Sequence, residues 1–413
     1  MDAIDLSRLQ FALTTGIHWL FVLLTLGLAP LVAVLHTASA AASDPERRAR
    51  RELQARFWGQ LYVVNYALGI VSGLVMEFQL GLNWSGLGEY AGNIVGAPVA
   101  LEGMVAFFAE STFLGLWIFG WGRLGPRLHA ALIWLVALTA YASAYFILVA
   151  NGFMQHPVGH EVRGGTAYLA DLGAVMANPN ALVALGHVTA AALVTGGLAM
   201  AGVAAYHFAR RTPHTAFFRA PLRLGVVVAA LACYPLYAVG DVQFRGIAEQ
   251  QPLKTAVLEG GAEGAAHAPP AWIAVPAETM VALGWVLFFA PLIALVLLPR
   301  DLLVRTRPLA WAVVALVPLP FIASVCGWLF REAGRQPWLV YGELAVTDAA
   351  SPVPAAAVAA VAASLVLFTG VLGALAAADW VIIARLAHRG PDGVRLGAPE
   401  PEPAPAPHSV RTP

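Results

Sequence analysis

Nine long apolar stretches run through the chain, at 11–36, 57–80, 98–121, 128–150, 181–207, 221–239, 276–298, 308–330 and 355–387. Each can cross a hydrocarbon core of about 30 Å, which takes roughly 20 apolar residues in a helix. None alternates apolar and polar residues with a period of two, as a β-barrel strand would. In lipid every backbone group must bond within its own segment, which leaves helices. The fold expected is all-α: a polytopic membrane bundle of nine transmembrane helices. Composition agrees, with 59% hydrophobic residues and only 12% charged, about half the roughly 25% usual in soluble domains. The 24 Lys+Arg balance the 24 Asp+Glu, so no net charge draws in a polyanion and nucleic acid is not an expected partner. Two cysteines, Cys233 and Cys326, and the lack of a CxxCH motif exclude a disulfide scaffold, a cysteine-ligated cluster and a c-type haem.

The basic residues give an orientation. With the N-terminus outside, 18 of the 24 Lys+Arg fall on inner segments or adjacent helix ends, including the run ERRARRELQAR at 46–56. The outer segments hold the other six: Arg8, Arg163, Arg245, Lys254, Arg331 and Arg335. Such a bias is the positive-inside signature. Nine helices then put the C-terminus inside. The opening MDAIDLSRLQ has two acids and one arginine, unlike a signal peptide, so the first helix is expected to be retained. Residues 1–388 read as one membrane domain with an outer loop at 240–275. Residues 389–413, rich in Pro, read as a disordered cytoplasmic tail.

Ionisable residues at membrane depth are costly and usually functional. Those within the spans are His18, Glu77, Glu102, Glu110, His187, Glu278 and Asp379, with Glu332 just past one end. His18, His187, Met280 and Glu332 all fall within roughly 10 Å of the outer face at 1.5 Å per residue. Imidazole, thioether and carboxylate are all iron donors, and a His/Met pair is a six-coordinate haem ligation. Taken singly, each has a plainer role: an interfacial histidine, a core methionine, a surface ion pair of Glu332 with Arg331 or Arg335. Glu102 and Glu110 are eight residues apart on one span, about 80° around the helix, and read as a proton relay that Ser143 extends or as two separately bonded acids. Asp379 reads as interfacial, without a role. The 240–275 segment is the longest connection and carries Lys254, the chain's only lysine, five residues before Glu259. A long loop of this kind is a binding element or a solvated connector.

Six segments carry a resemblance: SRLQFAL at 7–13, MEFQLGLNW at 76–84, GAPVALEG at 96–103, FFAESTFLGL at 107–116, LVANGFMQHPVG at 148–159 and CGWLFREAGRQPW at 326–338. In this order, around nine helices, the chain resembles subunit I of the cytochrome bd-type quinol oxidases over about 5–388, in the branch with a short quinol loop. The resemblance implies that His187 and Met280 are the axial ligands of a low-spin haem b. It implies that His18 and Glu332 each ligate one of two high-spin haems, a second haem b and a haem d or third haem b. Trp328 and Arg335 match positions that pack between haems and pair with a propionate. Glu102 and Glu110 match carboxylates on the way to the oxygen-reducing haem, and Lys254 with Glu259 matches the acid–base pair of the quinol loop.

The resemblance also implies the setting: quinol oxidation at the outer face, O2 reduction with protons from inside, a second subunit, sometimes a single-helix one, and the bacterial cytoplasmic membrane. One position departs. Where the family has a basic residue two before the methionine ligand, this chain has Glu278. An acid there is expected to lower the local haem potential or to need a proton or an arginine partner. Two other classes fit parts of the pattern: a haem-bearing anchor that only transfers electrons, and a proton-coupled transporter.

Overall fold

The computed structural model describes residues 2–262, 264–352 and 358–397. Among these, nine helical segments are long and apolar enough to cross a membrane. The first two spans are α1 (Ala3–Ala40) and α2 (Pro45–Asn83). The third is α3 (Ser85–Leu101) and α4 (Phe108–Phe119), joined by a π-helical turn at Glu102–Phe107. The fourth is α5 (Pro126–Gln155). A hairpin of β1 (His160–Arg163) and β2 (Thr166–Leu169) and the short α6 (Leu172–Met176) lead into α7 (Pro179–Arg210) and α8 (Thr215–Gln250). After α9 (Pro252–Leu258) come α10 (Ala274–Leu297), the short α11 (Leu302–Arg305), and an eighth span broken into α12 (Arg307–Leu316) and α13 (Leu319–Ala333). Strands β3 (Trp338–Val340) and β4 (Leu344–Ala345) and the single turn α14 (Val346–Ala349) precede the last span, α15 (Val358–Arg389).

The helices outrun the apolar stretches that announce them. The 38 residues of α1 extend about 57 Å, well beyond a bilayer core. Polar residues set the ends. Asp2 caps α1 by accepting from Asp5 N at 2.8 Å. Asp44 does the same for α2 through Arg47 N at 2.8 Å, with Pro45 in the first turn, where its missing N–H costs nothing.

Small residues bring the central helices together. A Cβ on Gly27 of α1 would lie 2.7 Å from Gly196 N of α7, and one on Gly197 would lie 2.9 Å from Ala229 N of α8. Backbones can approach this closely only where side chains are absent, the usual device of membrane helix pairs. Around these contacts α1 buries Leu23, Leu24, Leu28 and Leu31 against Phe57, Trp58 and Leu61 of α2 and the alanines of α7.

Two expectations change. The 240–275 segment is not a loop without structure: α8 continues to Gln250, α9 follows, and a 3₁₀ turn covers Ala271–Ile273. The C-terminal segment from 389 does not leave the bundle at once. A 3₁₀ turn at Gly390–Gly393 is held to α2 by Gln60, whose Nε2 donates to Gly393 O at 3.1 Å and whose Oε1 accepts from Arg395 N at 2.6 Å. Arg56 Nη1 donates to Gly397 O at 3.0 Å. The remainder of that segment, 398–413, lies outside the described residues.

Candidate functional site

A cavity of about 1390 Å³ opens within the bundle near the end that carries the N-terminus, walled mostly by apolar side chains. That exceeds the roughly 300–1,000 Å³ of an ordinary small-molecule site. Among the described residues every span except the ninth contributes to its wall. His18, His187, Met280, Glu332, Trp328 and Arg335 all line it, as do Glu102 and Glu110. Lys254 and Glu259 do not.

The donors are oriented from behind. His18 Nδ1 lies 2.8 Å from Ser72 Oγ, and Ser72 Oγ donates its single proton to Gly69 O at 2.6 Å. Ser72 therefore accepts from His18 Nδ1–H, which leaves Nε2 with a free lone pair, the tautomer a metal ligand needs. Gly73 leaves room beside that ring, where a Cβ would sit 3.3 Å from His18 Cε1. His187 packs against Gly240, where a Cβ would sit 3.1 Å from Cε1, and its buried Nδ1 has no hydrogen-bond partner among the described residues. Met280 Sδ lies over Gly327, 2.7 Å from where a Cβ would be. These three cradles explain why glycine stands at 73, 240 and 327: the ring and thioether need the space.

Glu332 sits at the end of α13 in a polar nest. Its Oε1 accepts from Asn151 Nδ2 at 2.8 Å and Gln155 Nε2 at 3.1 Å, and its Oε2 accepts from Arg335 Nη2 at 2.6 Å. A carboxylate has about four lone-pair sites, so one remains free. Arg335 is 4% exposed, yet its Nε and Nη1 have no partner among the described residues, leaving two cationic donors ready for an anionic group. Burial holds its guanidinium below the usual range, with Glu332 pulling the other way. Arg331 keeps its Nε 4.0 Å from Glu332 Oε1 but spends its hydrogen bonds on amides, donating through Nε to Asn151 Oδ1 at 2.8 Å and through Nη2 to Asn180 Oδ1 at 2.6 Å. Asn151 and Gln155 carry this nest, and sequence reading assigned them no role. The signal was present as two amides one helical turn apart in an apolar span.

The π turn changes the relation between the two acids of the third span. Eight residues of plain α-helix would set Glu110 about 80° from Glu102, whereas the extra residue of a π turn brings the two within about 20°. Glu102 Oε1 accepts from Ser143 Oγ at 2.6 Å. Its carboxyl is also within hydrogen-bonding reach of Glu77. Glu110 is 4% exposed and accepts from Tyr62 Oη at 3.3 Å.

Lys254 and Glu259 are not a pair. Lys254 points into the bundle at 1% exposure, donating to Arg331 O at 3.0 Å and Gln251 Oε1 at 3.3 Å, with Nζ 4.7 Å over the Phe330 ring. Burial, and then the Arg331 guanidinium, push its amine well below the usual lysine range. Gln251 in turn donates to Gln155 Oε1 at 3.0 Å, so α9 is tied to the Glu332 nest. Glu259 faces outward and is exposed. Glu278 is exposed as well and does not line the cavity. No arginine pairs with it among the described residues.

A helical membrane bundle that brings two histidines, a methionine and a carboxylate to the wall of one large apolar chamber is a multi-pass membrane protein with room and donor atoms for bulky prosthetic groups. The chain belongs to the cytochrome bd terminal oxidase subunit I family, whose pattern matches residues 6–279 and 277–391. It is 34% identical to the cytochrome bd ubiquinol oxidase subunit 1 of Bacillus subtilis over 85% of this chain and 87% of that one. It is 41% identical to the cytochrome bd-II ubiquinol oxidase subunit 1 of Escherichia coli, over 63% of this chain and 50% of that one. The bd oxidase structure from Geobacillus thermodenitrificans superposes with a TM-score of 0.85 at 26% identity, covering 94% of this chain and 99% of that one. Membership makes the chain a terminal oxidase subunit, an oxidoreductase of the respiratory chain. Haem is the cofactor expected of the family.

Proposed function

We propose that this chain is the catalytic haem subunit of a quinol:O2 oxidoreductase, and that the observation carrying this reading is the single cavity shared by His18, His187, Met280 and Glu332. The residues present suit haem. The wall is apolar, His18 offers Nε2, Met280 and His187 have glycine-made clearance, and Arg335 has two unpartnered donors for a propionate. His187 and Met280 would hold a low-spin haem b, and His18 and Glu332 a second haem b and a haem d or third haem b. When bound, the haems supply electron transfer and the reduction of oxygen to water.

The chain's own residues hold and move protons. Glu110 and Glu102 take protons from the side of the 46–56 arginine run, which the charge bias makes the cytoplasmic side, and bring them to the cavity wall. Tyr62 and Ser143 keep the two carboxyls in place. At the opposite, outer face the segment 240–275 receives the quinol. Glu259, exposed there, accepts a quinol proton, while Lys254 fastens the segment to α13. Protons leave outside and are consumed from inside, which separates charge without a pump. The membrane is the bacterial cytoplasmic membrane, and partners are subunit II and, in some assemblies, a single-helix subunit.

A visible spectrum of the purified oxidase, with quinol-dependent oxygen uptake, tests this. Low-spin and high-spin haem bands together with turnover are expected. Low-spin bands alone would make the protein an electron-transfer anchor, and the absence of a Soret band would leave a transporter.

A further inference from the structure

At the cytoplasmic end of the bundle a second cavity, of about 640 Å³, lies between the end of α1, the start of α2 and the start of α5. No residue lines both it and the large chamber. One wall is Arg127, Ala130, Ala131 and Trp134, a single face of α5 at helical spacing. The other is the last turn of α1, which offers Thr37 and alanines, with Arg48 of α2 beside it.

The cleft is polarised along the membrane normal. Arg127 is in the first turn of α5, and Trp134 is seven residues further into the bilayer, about 10 Å along the helix. That crosses the headgroup layer of one leaflet, roughly 5–8 Å thick. Trp134 bridges the two helices, its Nε1 donating to Thr37 Oγ1 at 2.9 Å, at the interfacial depth where membrane proteins keep tryptophan. One turn deeper, Val34 of α1 and Leu138 of α5 are 38% and 65% exposed, and continue the cleft as an apolar strip.

The charge at the cytoplasmic end is uncompensated. No carboxylate lines the cavity, and neither arginine has an acidic partner among the described residues. Arg48 is held in place by Ala42 O, which accepts from its Nε at 3.1 Å and its Nη2 at 2.9 Å. A guanidinium carries five N–H donors, so three remain. The same two bonds cover the negative end of α1. The start of α5 has no side-chain cap, so the N–H groups of its first turn are open to an anion beside Arg127.

Two cations above a cleft of alanines, ending on an indole and an aliphatic strip, match the two ends of a lipid. Free phosphate would use the arginines and leave the cleft empty. A zwitterionic lipid would fill the cleft but bring a cation of its own to the arginines. We propose that this cavity binds an anionic phospholipid, with its phosphodiester between Arg48 and Arg127 and an acyl chain along Trp134, Val34 and Leu138. Basic pockets between membrane helices on the cytoplasmic side suit such headgroups. The inference goes beyond the oxidase reading, because it concerns the surrounding membrane and not the reaction.

The test uses the purified complex with subunit II, stripped of lipid in detergent and titrated with dioleoylphosphatidylglycerol, dioleoylphosphatidylcholine or sodium phosphate, with bound lipid counted by native mass spectrometry. Wild type is expected to retain one phosphatidylglycerol that neither phosphatidylcholine nor millimolar phosphate displaces. Arg127→Gln should weaken retention ~5-fold, as one interfacial cation is worth. Ala131→Phe, which fills the cleft and keeps the charge, should weaken it at least as much. Both should leave the haem bands and quinol-driven oxygen uptake as in wild type. Arg48→Gln should match Arg127→Gln, and should it fail to assemble for want of the bonds to Ala42 O, the other two variants decide. Equal retention of the two lipids, displacement by phosphate, or unchanged retention in Arg127→Gln and Ala131→Phe would overturn the proposal. So would cross-linking of a photo-reactive residue at position 131 to subunit II, which would make the cleft a subunit contact. Wild-type protein with this lipid selectivity but without haem bands would sink the oxidase reading and leave the lipid site standing.

Discussion

Replacing Lys254 with methionine separates two jobs that one lysine in a binding segment can do. Methionine keeps the unbranched shape in a site with 1% exposure but removes the ammonium. Two hydrogen bonds go, to Arg331 O and Gln251 Oε1, along with the contact over Phe330. Arg331 O keeps Gln155 Nε2 at 3.3 Å, whereas Gln251 Oε1 loses its donor. Hydrogen bonds from a charged group are worth ~1.5–3 kcal/mol each. The variant also escapes the cost of burying an ammonium, several kcal/mol by rough reckoning. The difference leaves the docking of α9 weaker by ~1–2 kcal/mol, a factor of about 5–30 in the docked population. Limited proteolysis within 251–275 should quicken by that factor and the KM for quinol should rise with it, while kcat falls far less and all haem bands stay. A collapse of kcat with unchanged proteolysis and KM would refute this reasoning and return Lys254 to proton chemistry.

Met280→Leu conserves volume and removes the thioether, so the low-spin α-band should fade while the complex still assembles, and an unchanged spectrum would unseat the His187/Met280 assignment. Glu110→Gln keeps the shape and the bond from Tyr62, so oxygen uptake should fall by ~10-fold or more with the low-spin haem intact, and near-normal uptake would make Glu110 structural. Gly27→Ala puts a Cβ 2.7 Å from Gly196 N. Overpacking of this kind costs ~1–3 kcal/mol, visible as a lower midpoint in thermal unfolding in detergent, and an unchanged midpoint would mean that α1 and α7 can separate freely.

What the sequence discloses is what lipid dictates. Apolar length specified all nine spans, because nothing else satisfies a backbone in hydrocarbon. The placing of His18, His187, Met280 and Glu332 at one depth followed from counting along helices, and they do share one cavity. What counting along one helix cannot supply is what stands opposite. The π turn between Glu102 and Glu110 has no composition signal, yet it changes which face the second acid takes. Lys254 and Glu259 are close in sequence, but α9 turns one inward and leaves the other exposed. Glu278 looked like a perturbation near a haem because its neighbour Met280 faces the cavity, but two residues along a helix is about 200°. Asp379 read as interfacial, yet it is 1% exposed, because hydropathy gives its depth and not the helix against which it lies.

The packing of α15 has a consequence for how the chain is made. The last span lies on the first two, with Ser364 bonded to Gln10 and the following turn fastened to Gln60 and Arg56. During synthesis α1 and α2 enter the bilayer long before α15 exists. Until it arrives, Gln10 and the face of α2 that will receive the turn are open to lipid, to water at the bilayer edge or to a helper protein. The bundle is therefore closed by its final helix, like a barrel hoop. A chain cut short before Ser364 would insert eight spans and leave a polar seam, which is the kind of flaw a membrane protease can recognise.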